Sequence, residues 1–173
     1  FSLPFIIFPA LFGALADRFS KQRVAVAAKW LEIFIMLAGG IAFLLGWTPL
    51  IWFLLFMMAT QSALFGPAKY GILPEILPAE RLSWGNGVIQ MGTMLAIIMG
   101  TGLAGPLFLL TKGKVYLVSV LLVFLSIAGT CFSYFITRPP AANPAQPIPK
   151  NPFLPWQGML KYFKSIRKDK ILF

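Results

Sequence analysis

The sequence predicts an all-helical membrane protein, and three observations support that prediction. Hydrophobic residues make up 58% of the 173 residues and charged residues only 12%, whereas soluble domains have about 25% charged residues. The mean hydropathy is +0.81. The apolar runs are longer than the roughly 10-residue strands of a membrane β-barrel, and their polarity does not alternate. Together these features exclude a disordered chain and an ordinary soluble enzyme.

Four apolar runs are long enough to span a bilayer. A hydrocarbon core about 30 Å thick takes roughly 20 helical residues, and the runs cover 24–46, 50–67, 87–110 and 115–137. A fifth run, 1–16, is shorter, and we expect it to be the end of another span. Because the chain begins and ends inside apolar segments, we also expect it to be part of a longer protein.

The basic residues predict how these spans are oriented. Thirteen of the fifteen lysines and arginines fall in or next to alternate loops, which lie on the same side of the membrane if each run crosses it once. Only Lys112 and Lys114, between the last two spans, lie on the other side. By the positive-inside rule, the side with thirteen faces the cytoplasm. The net charge of +10 is therefore explained by topology. A nucleic-acid partner is not expected, because the charges are divided among loops on a hydrophobic frame.

The last 36 residues form a separate connector, 138–173, after the span region 1–137. Seven prolines between 138 and 155 favour extended polyproline geometry. From 156 to 170, apolar residues recur at helical spacing with lysines and arginines between them. This pattern predicts an amphipathic helix on the membrane surface, and a solvated linker helix is the alternative.

The first basic loop contains a glycine, a carboxylate and two basic residues at fixed spacing: Gly13, Asp17, Arg18 and Lys21. A glycine lets a neighbouring helix approach closely. A carboxylate at a helix end can pair with a cation or with a helix N-terminus. We therefore predict that these residues form a conformational latch, while the simpler interpretation is that the cations only fix topology.

The same loop resembles the signature loop between the second and third helices of major facilitator superfamily transporters. Gly13, Asp17, Arg18 and Lys21 match that pattern, whereas Ser20 replaces a glycine and Gln22 replaces a basic residue. The resemblance implies the N-terminal half of a 12-helix fold, comprising helices 2 to 6 and the central cytoplasmic connector. It further implies a secondary transporter that works by alternating access.

The segment from Phe65 to Glu75, with its Gly-Pro-Ala-Lys-Tyr sequence, is similar to a segment of bacterial lysophospholipid transporters. Two further segments are also similar to these transporters: Asn86-Gly87 and the proline-rich start of the connector. This resemblance implies a lysophospholipid substrate that crosses the bacterial inner membrane for re-acylation. It also implies an acyltransferase and acyl-carrier-protein synthetase, fused or separate, which the segment 156–170 could hold at the membrane.

Lys69 and Tyr70 are the first candidates for gating or headgroup contact. Lys69 follows Gly66 and Pro67 at the end of a span, and charged groups near membrane depth are costly and tend to be functional. Its ammonium could pair with a carboxylate, such as Asp17, or with a lipid phosphate. The alternative is a topology-setting lysine that extends to the interface, with Tyr70 as an interfacial anchor.

Other polar residues inside the spans have less specific predictions. Gln61 and Gln90 could line a cavity or bond across helices. Lys29 and Glu32, three residues apart, can form a structural ion pair, with ion coupling as the alternative. Gly105 and Pro106 predict a helix bend.

The composition also limits the chemistry. The chain has no histidine and a single cysteine, so we predict no metal site, no cofactor and no catalytic residue in this part. Two alternatives to lysophospholipid transport remain. One is a drug or siderophore exporter of the same superfamily, and the other is a membrane anchor for a fused acyltransferase.

Overall fold

The computed structural model describes residues 2–145 and residue 148, and nearly all of this part is helical. The predicted amphipathic helix at 156–170 lies outside it. In chain order the helices are α1 (Leu3–Ile7), α2 (Pro9–Arg18), α3 (Lys21–Leu45), α4 (Thr48–Gly71), α5 (Leu73–Ile76), α6 (Leu82–Leu110) and α7 (Val115–Tyr134), with a 3-10 turn at Ala79–Arg81 before α6.

The four predicted spans are confirmed as helices. The segments Lys21–Leu45, Thr48–Ile76, Ala79–Leu110 and Val115–Tyr134 are each long and apolar enough to cross a membrane. Their ends differ from the predicted ones, because α4 continues through Pro67 to Gly71. A proline late in a helix removes one backbone donor and does not stop the helix here. Likewise α6 is continuous through Pro106, so the bend at Gly105 and Pro106 stays a prediction.

The run 1–16 forms two short helices, and its assignment as the end of another span stays a prediction. α1 ends at Ile7, and α2 begins at Pro9, which occupies the first turn of the new helix. Proline suits that position because its missing N–H has no partner in the first turn of a helix. Both helices pack against α4.

α3 is the centre of the bundle and packs against both α4 and α7. Its buried side is rich in small residues such as Ala25, Ala28 and Ala42. At Gly40, an added Cβ would lie 3.3 Å from the Cβ of Ser119 in α7. Small residues therefore let these helices approach closely, as is typical of helix contacts in membranes.

The buried side of α7 is polar, and this was not predicted. Ser119, Ser126, Thr130 and Ser133 are all buried. The large apolar side chains of the same helix point outward; Phe132, for example, is 73% exposed. Lipid tails solvate apolar side chains as well as a protein core does, so burying apolar surface does not drive helix association here.

α6 is the least packed helix of the described part. Every residue from 94 to 106 is exposed. Its contacts with the rest of the described bundle are few and lie with α5, α7 and the end of α4.

Candidate functional site

Most of the polar contacts lie at one end of the bundle, where α2 ends, α3 begins and α4 ends. We call this the basic end, because Arg18, Lys21, Arg23 and Lys69 lie there. It contains two groups of residues that the sequence analysis had singled out. A third group lies further along α3.

The first group is an ion pair that joins the start of α3 to α5. The ammonium of Lys21 donates to the carboxylate of Glu75, and it lies 3.9 Å from an Asp17 carboxylate oxygen. The Lys21 side chain is only 7% exposed and that of Glu75 only 19%. The second Glu75 oxygen is buried and has no hydrogen-bond partner among the described residues. Lys21 is therefore the buried cation of the signature loop.

Glu75 is the residue of this group that sequence reasoning did not assign. Its partner lies 54 positions earlier in the chain, so spacing could not reveal the contact. One signal was present, since Glu75 is one of only five acidic residues in the chain. It also follows Pro74 in the first turn of α5.

The other signature-loop residues are placed less tightly. Arg18 is exposed, and Asp17 has a half-exposed side chain. The Asp17 carbonyl accepts a hydrogen bond from the Asn143 N–H at 2.8 Å, so the start of the connector folds back onto the loop. A Cβ added at Gly13 would meet no atom within 4 Å. Close helix approach at Gly13 is therefore not observed among the described residues.

Gly71 provides the space in which the Lys21 side chain lies. A Cβ added at Gly71 would lie 2.7 Å from Cε and 3.2 Å from Cδ of Lys21. Both atoms belong to a flexible side chain, so an added methyl would displace the lysine without blocking the fold.

We therefore predict that Gly71→Ala weakens the Lys21–Glu75 pair while leaving the protein folded. Losing about 0.5–1 kcal/mol of pairing corresponds to an ion pair weakened roughly two- to fivefold. The helix propensity of alanine favours the folded state in both this variant and its control. The thermal unfolding temperature of each variant should be measured. Gly39→Ala is the matched control, because a Cβ at Gly39 meets no atom within 4 Å. Equal effects of the two substitutions would contradict the prediction.

The second group joins the end of α4 to α6, and we call it the α4–α6 polar seam: Lys69, Tyr70, Gln90 and Thr93. The Lys69 ammonium donates to the Thr93 hydroxyl at 2.5 Å, and the Tyr70 hydroxyl donates to the Gln90 side-chain oxygen at 2.9 Å. The Lys69 ammonium also lies 5.4 Å from the centre of the Tyr70 ring. The structure thus brings together three residues that the sequence singled out separately.

No carboxylate contacts Lys69 within residues 2–145. Asp17, one predicted partner, lies instead near Lys21. Thr93, which accepts a hydrogen bond from Lys69, donates its own hydroxyl hydrogen bond to the Ile89 carbonyl at 2.7 Å. The Lys69 ammonium therefore donates to one hydroxyl group, that of Thr93, and is not neutralised by an acid among residues 2–145. A half-buried cation of this kind can bind an anionic group.

The third group is a buried network around Glu32. One carboxylate oxygen accepts from the Lys29 ammonium at 2.8 Å and from the Gln61 amide at 3.1 Å. The other accepts from the Ser126 hydroxyl at 3.1 Å. This geometry confirms that Lys29 and Glu32 pair, and it adds partners from α4 and α7.

Gln61 belongs to this network and is buried. It is 3% exposed. Its amide also donates to the Ala28 carbonyl at 3.2 Å. Of the two roles considered for Gln61, the structure shows the bond across helices. Gln90 is exposed, and for it cavity lining stays a prediction.

Among the residues that the structure describes, no group of three or more histidine, cysteine, aspartate or glutamate side chains could hold a metal ion.

The family model of the Major Facilitator Superfamily matches residues 1–173, and the chain therefore belongs to that family. This match confirms the family and the fold class that the sequence predicted.

Three curated relatives carry the same name. The chain is 32% identical over 145 residues to the lysophospholipid transporter LplT of Serratia proteamaculans. The matched region covers 84% of this chain and 34% of the relative. It is 31% identical over 138 residues to LplT of Photorhabdus laumondii, covering 80% and 32%. It is also 31% identical over 142 residues to LplT of Salmonella newport, covering 82% and 33%. The chain thus spans about a third of the length of these relatives. No solved structure matches it.

Proposed function

We propose that this chain is part of a secondary transporter that moves lysophospholipids across the bacterial inner membrane by alternating access. The observation that carries the proposal is the similarity, over most of this chain, to relatives named lysophospholipid transporter. The α4–α6 polar seam supports it, because it offers a half-buried cation with no acid beside it among the described residues.

In this proposal Lys69 binds the phosphate of the lysophospholipid headgroup. The ammonium already bonds to the Thr93 hydroxyl, and a phosphate would offer a stronger, charged acceptor in the same place. Tyr70, whose hydroxyl bonds Gln90, lies beside it and can contribute a second polar group. Binding would exchange contacts that tie α4 to α6 for contacts with the substrate, which couples substrate binding to helix position.

The signature-loop ion pair has a separate role in the proposal. The Lys21–Glu75 pair lies at the basic end and holds α3 against α5. A buried charge pair that forms in one state and opens in another biases the equilibrium between the two states. We propose that it latches one conformation of the transport cycle.

The test of Lys69 is uptake of labelled lysophosphatidylethanolamine. Spheroplasts of cells that lack their own lysophospholipid uptake would express the full-length protein, and conversion of the label to diacyl phospholipid would be followed. We expect Lys69→Ala to reduce uptake at least tenfold, since a charge-assisted contact contributes about 1.5–3 kcal/mol. Lys69→Arg keeps the charge and should retain part of the activity.

Lys114→Ala is the matched control, because Lys114 is an exposed lysine in the connection before α7, away from the seam. Uptake by the wild type with loss only in Lys69→Ala would support both the substrate and the residue. Uptake unchanged in Lys69→Ala would remove Lys69 from the binding site. No uptake by a well-expressed wild type would reject the lysophospholipid and favour an exporter of the same family.

Re-acylation requires an enzyme, and we propose that an acyltransferase with an acyl-carrier-protein synthetase acts with this transporter, either fused to it or separate. The segment 156–170 would hold that enzyme near the membrane surface. Co-purification of the enzyme with the full-length transporter, lost on deletion of 156–170, would test this part of the proposal.

A further inference from the structure

A pocket of about 580 Å³ with two arginines in its lining lies at the basic end, on the side of α3 that faces the end of α7. Its walls include Arg23 and Trp30 from α3, Tyr134 from the end of α7, and Arg138 from the segment that follows. It shares no residue with the α4–α6 polar seam or with the Lys21–Glu75 pair. The proposed transport function leaves this pocket without a role.

The pocket is strongly positive. Arg23 and Arg138 both line it, whereas none of the acidic residues of the described part does: Asp17, Glu32, Glu75 and Glu80. Within residues 2–145, neither arginine forms an ion pair. Two guanidinium groups without a counter-charge attract an anion with several oxygen atoms, because the planar fork of arginine matches phosphate.

The walls of the pocket are held in place by hydrogen bonds. The Gln22 amide donates to the Ser133 carbonyl at 3.3 Å, and the Trp30 indole N–H donates to the Tyr134 hydroxyl at 3.0 Å. These contacts fix the end of α7 against α3. The structure therefore supplies a preformed pocket, which lowers the entropic cost of binding.

The backbone that carries Arg138 is held against the bundle, although it follows the last span. The next residue, Pro139, is buried. A few residues later, the Asn143 N–H donates to the Asp17 carbonyl at 2.8 Å. The segment after α7 is thus folded back across the basic end, and Arg138 is not on a free tail.

The aromatic pair indicates the depth of the pocket in a membrane. Tyr134 is the last residue of α7, and Trp30, which donates to its hydroxyl, lies in the third turn of α3; both are partly exposed. Tryptophan and tyrosine favour the headgroup level of a bilayer. Basic pockets between spanning helices at that level bind anionic lipid headgroups. We infer that this pocket binds the phosphate of an anionic phospholipid of the surrounding leaflet, as a lipid that stays bound and is not the transported one.

The test is thermal unfolding of the purified full-length protein in detergent, with phosphatidylglycerol or phosphatidylcholine added. A ligand that binds the folded state raises the unfolding temperature with its concentration. We expect phosphatidylglycerol to do so and phosphatidylcholine not. R23Q and R138Q should each weaken the effect of phosphatidylglycerol roughly fivefold in apparent affinity, the change expected from about 1 kcal/mol per basic side chain.

R81Q is the matched control, because Arg81 is an exposed arginine in the 3-10 turn before α6 and outside the pocket. If R23Q lowers stability without lipid, R138Q still tests the inference, since Arg138 lies beyond the spans. Native mass spectrometry would count the bound phosphatidylglycerol directly. Loss of binding in both pocket variants, but not in R81Q, is the supporting result.

Three outcomes would overturn the inference: equal stabilisation by phosphatidylcholine, equal loss of binding in R81Q, or the same stabilisation by inorganic phosphate alone, which would indicate a small-anion site. The measurement involves no transport. Absence of phosphatidylglycerol binding would contradict this inference and not the proposed function. Absence of lysophosphatidylethanolamine uptake would contradict the proposed function and not this inference.

Discussion

Replacing Glu32 with leucine is expected to destabilise the protein more than any other single change in the spans. The carboxylate accepts hydrogen bonds from Lys29, Gln61 and Ser126, which lie on α3, α4 and α7. The side chains of Lys29 and Glu32 are only 22% and 15% exposed. Removing one partner of a buried pair leaves an uncompensated charge and costs about 3–5 kcal/mol. That is a large part of a typical total stability of about 5–15 kcal/mol.

The double variant Lys29→Met with Glu32→Leu separates the stability cost of an unpaired charge from a role of the pair in transport. Replacing both partners of a buried pair by apolar residues is often neutral, so we expect the double variant to regain most of the unfolding temperature that Glu32→Leu loses. The measurement is thermal unfolding in detergent, alongside uptake. A stable double variant that transports normally would identify a structural pair. A stable double variant without transport would support the alternative role in ion coupling. Normal stability of Glu32→Leu alone would contradict the burial argument.

Replacing Lys21 with methionine is expected to have the second largest effect, mainly on transport. The substitution leaves the Glu75 carboxylate without its cation. One oxygen of that carboxylate is already buried and has no hydrogen-bond partner among the described residues, so the loss of Lys21 leaves the charge without compensation. We expect reduced stability and at least tenfold slower uptake, because a lost buried contact of this kind costs several kcal/mol. Glu75→Leu should behave in the same way.

Combining Lys21→Met with Glu75→Leu tests whether the pair is a latch or only a support. Without either charge, the protein should fold nearly as well as the wild type. If the pair switches between conformations, uptake remains slow in the double variant despite normal stability. Full recovery of uptake would show that the pair only supports the fold. Arg81→Gln is a suitable control, since Arg81 is an exposed cation outside the predicted latch.

The spans were predictable from the sequence because a membrane helix needs one long apolar run, and run length is a local property. The ends of the helices were less predictable, because α4 continues past Pro67 and ends at Gly71. The Lys29–Glu32 pair was predictable for the same local reason, since its partners are three residues apart on one helix. The pairing of Lys21 with Glu75 was not, because it depends on α5 returning to the start of α3.

The polar seam was predicted residue by residue but not as a unit. Lys69, Tyr70 and Gln90 were singled out as unusual polar groups in apolar surroundings. The contact of Lys69 with Thr93 joins two helices through residues 24 positions apart, so local spacing could not reveal it. The buried face of α7 was missed for a physical reason. Ser119, Ser126 and Ser133 look unremarkable in an apolar run, yet small polar residues are the ones that pack against neighbouring helices in lipid.

The seam also has a mechanical consequence for α6. Within the described part, the helix is fastened near Thr93, and its exposed stretch continues from there to Leu110. Those residues form a rod about 25 Å long, so a tilt of about 10° at the fastened point moves the far end by about 4 Å. In the proposed mechanism, a phosphate that takes Lys69 away from Thr93 removes one of the few contacts that hold α6, and the resulting tilt would be largest at the far end of the helix.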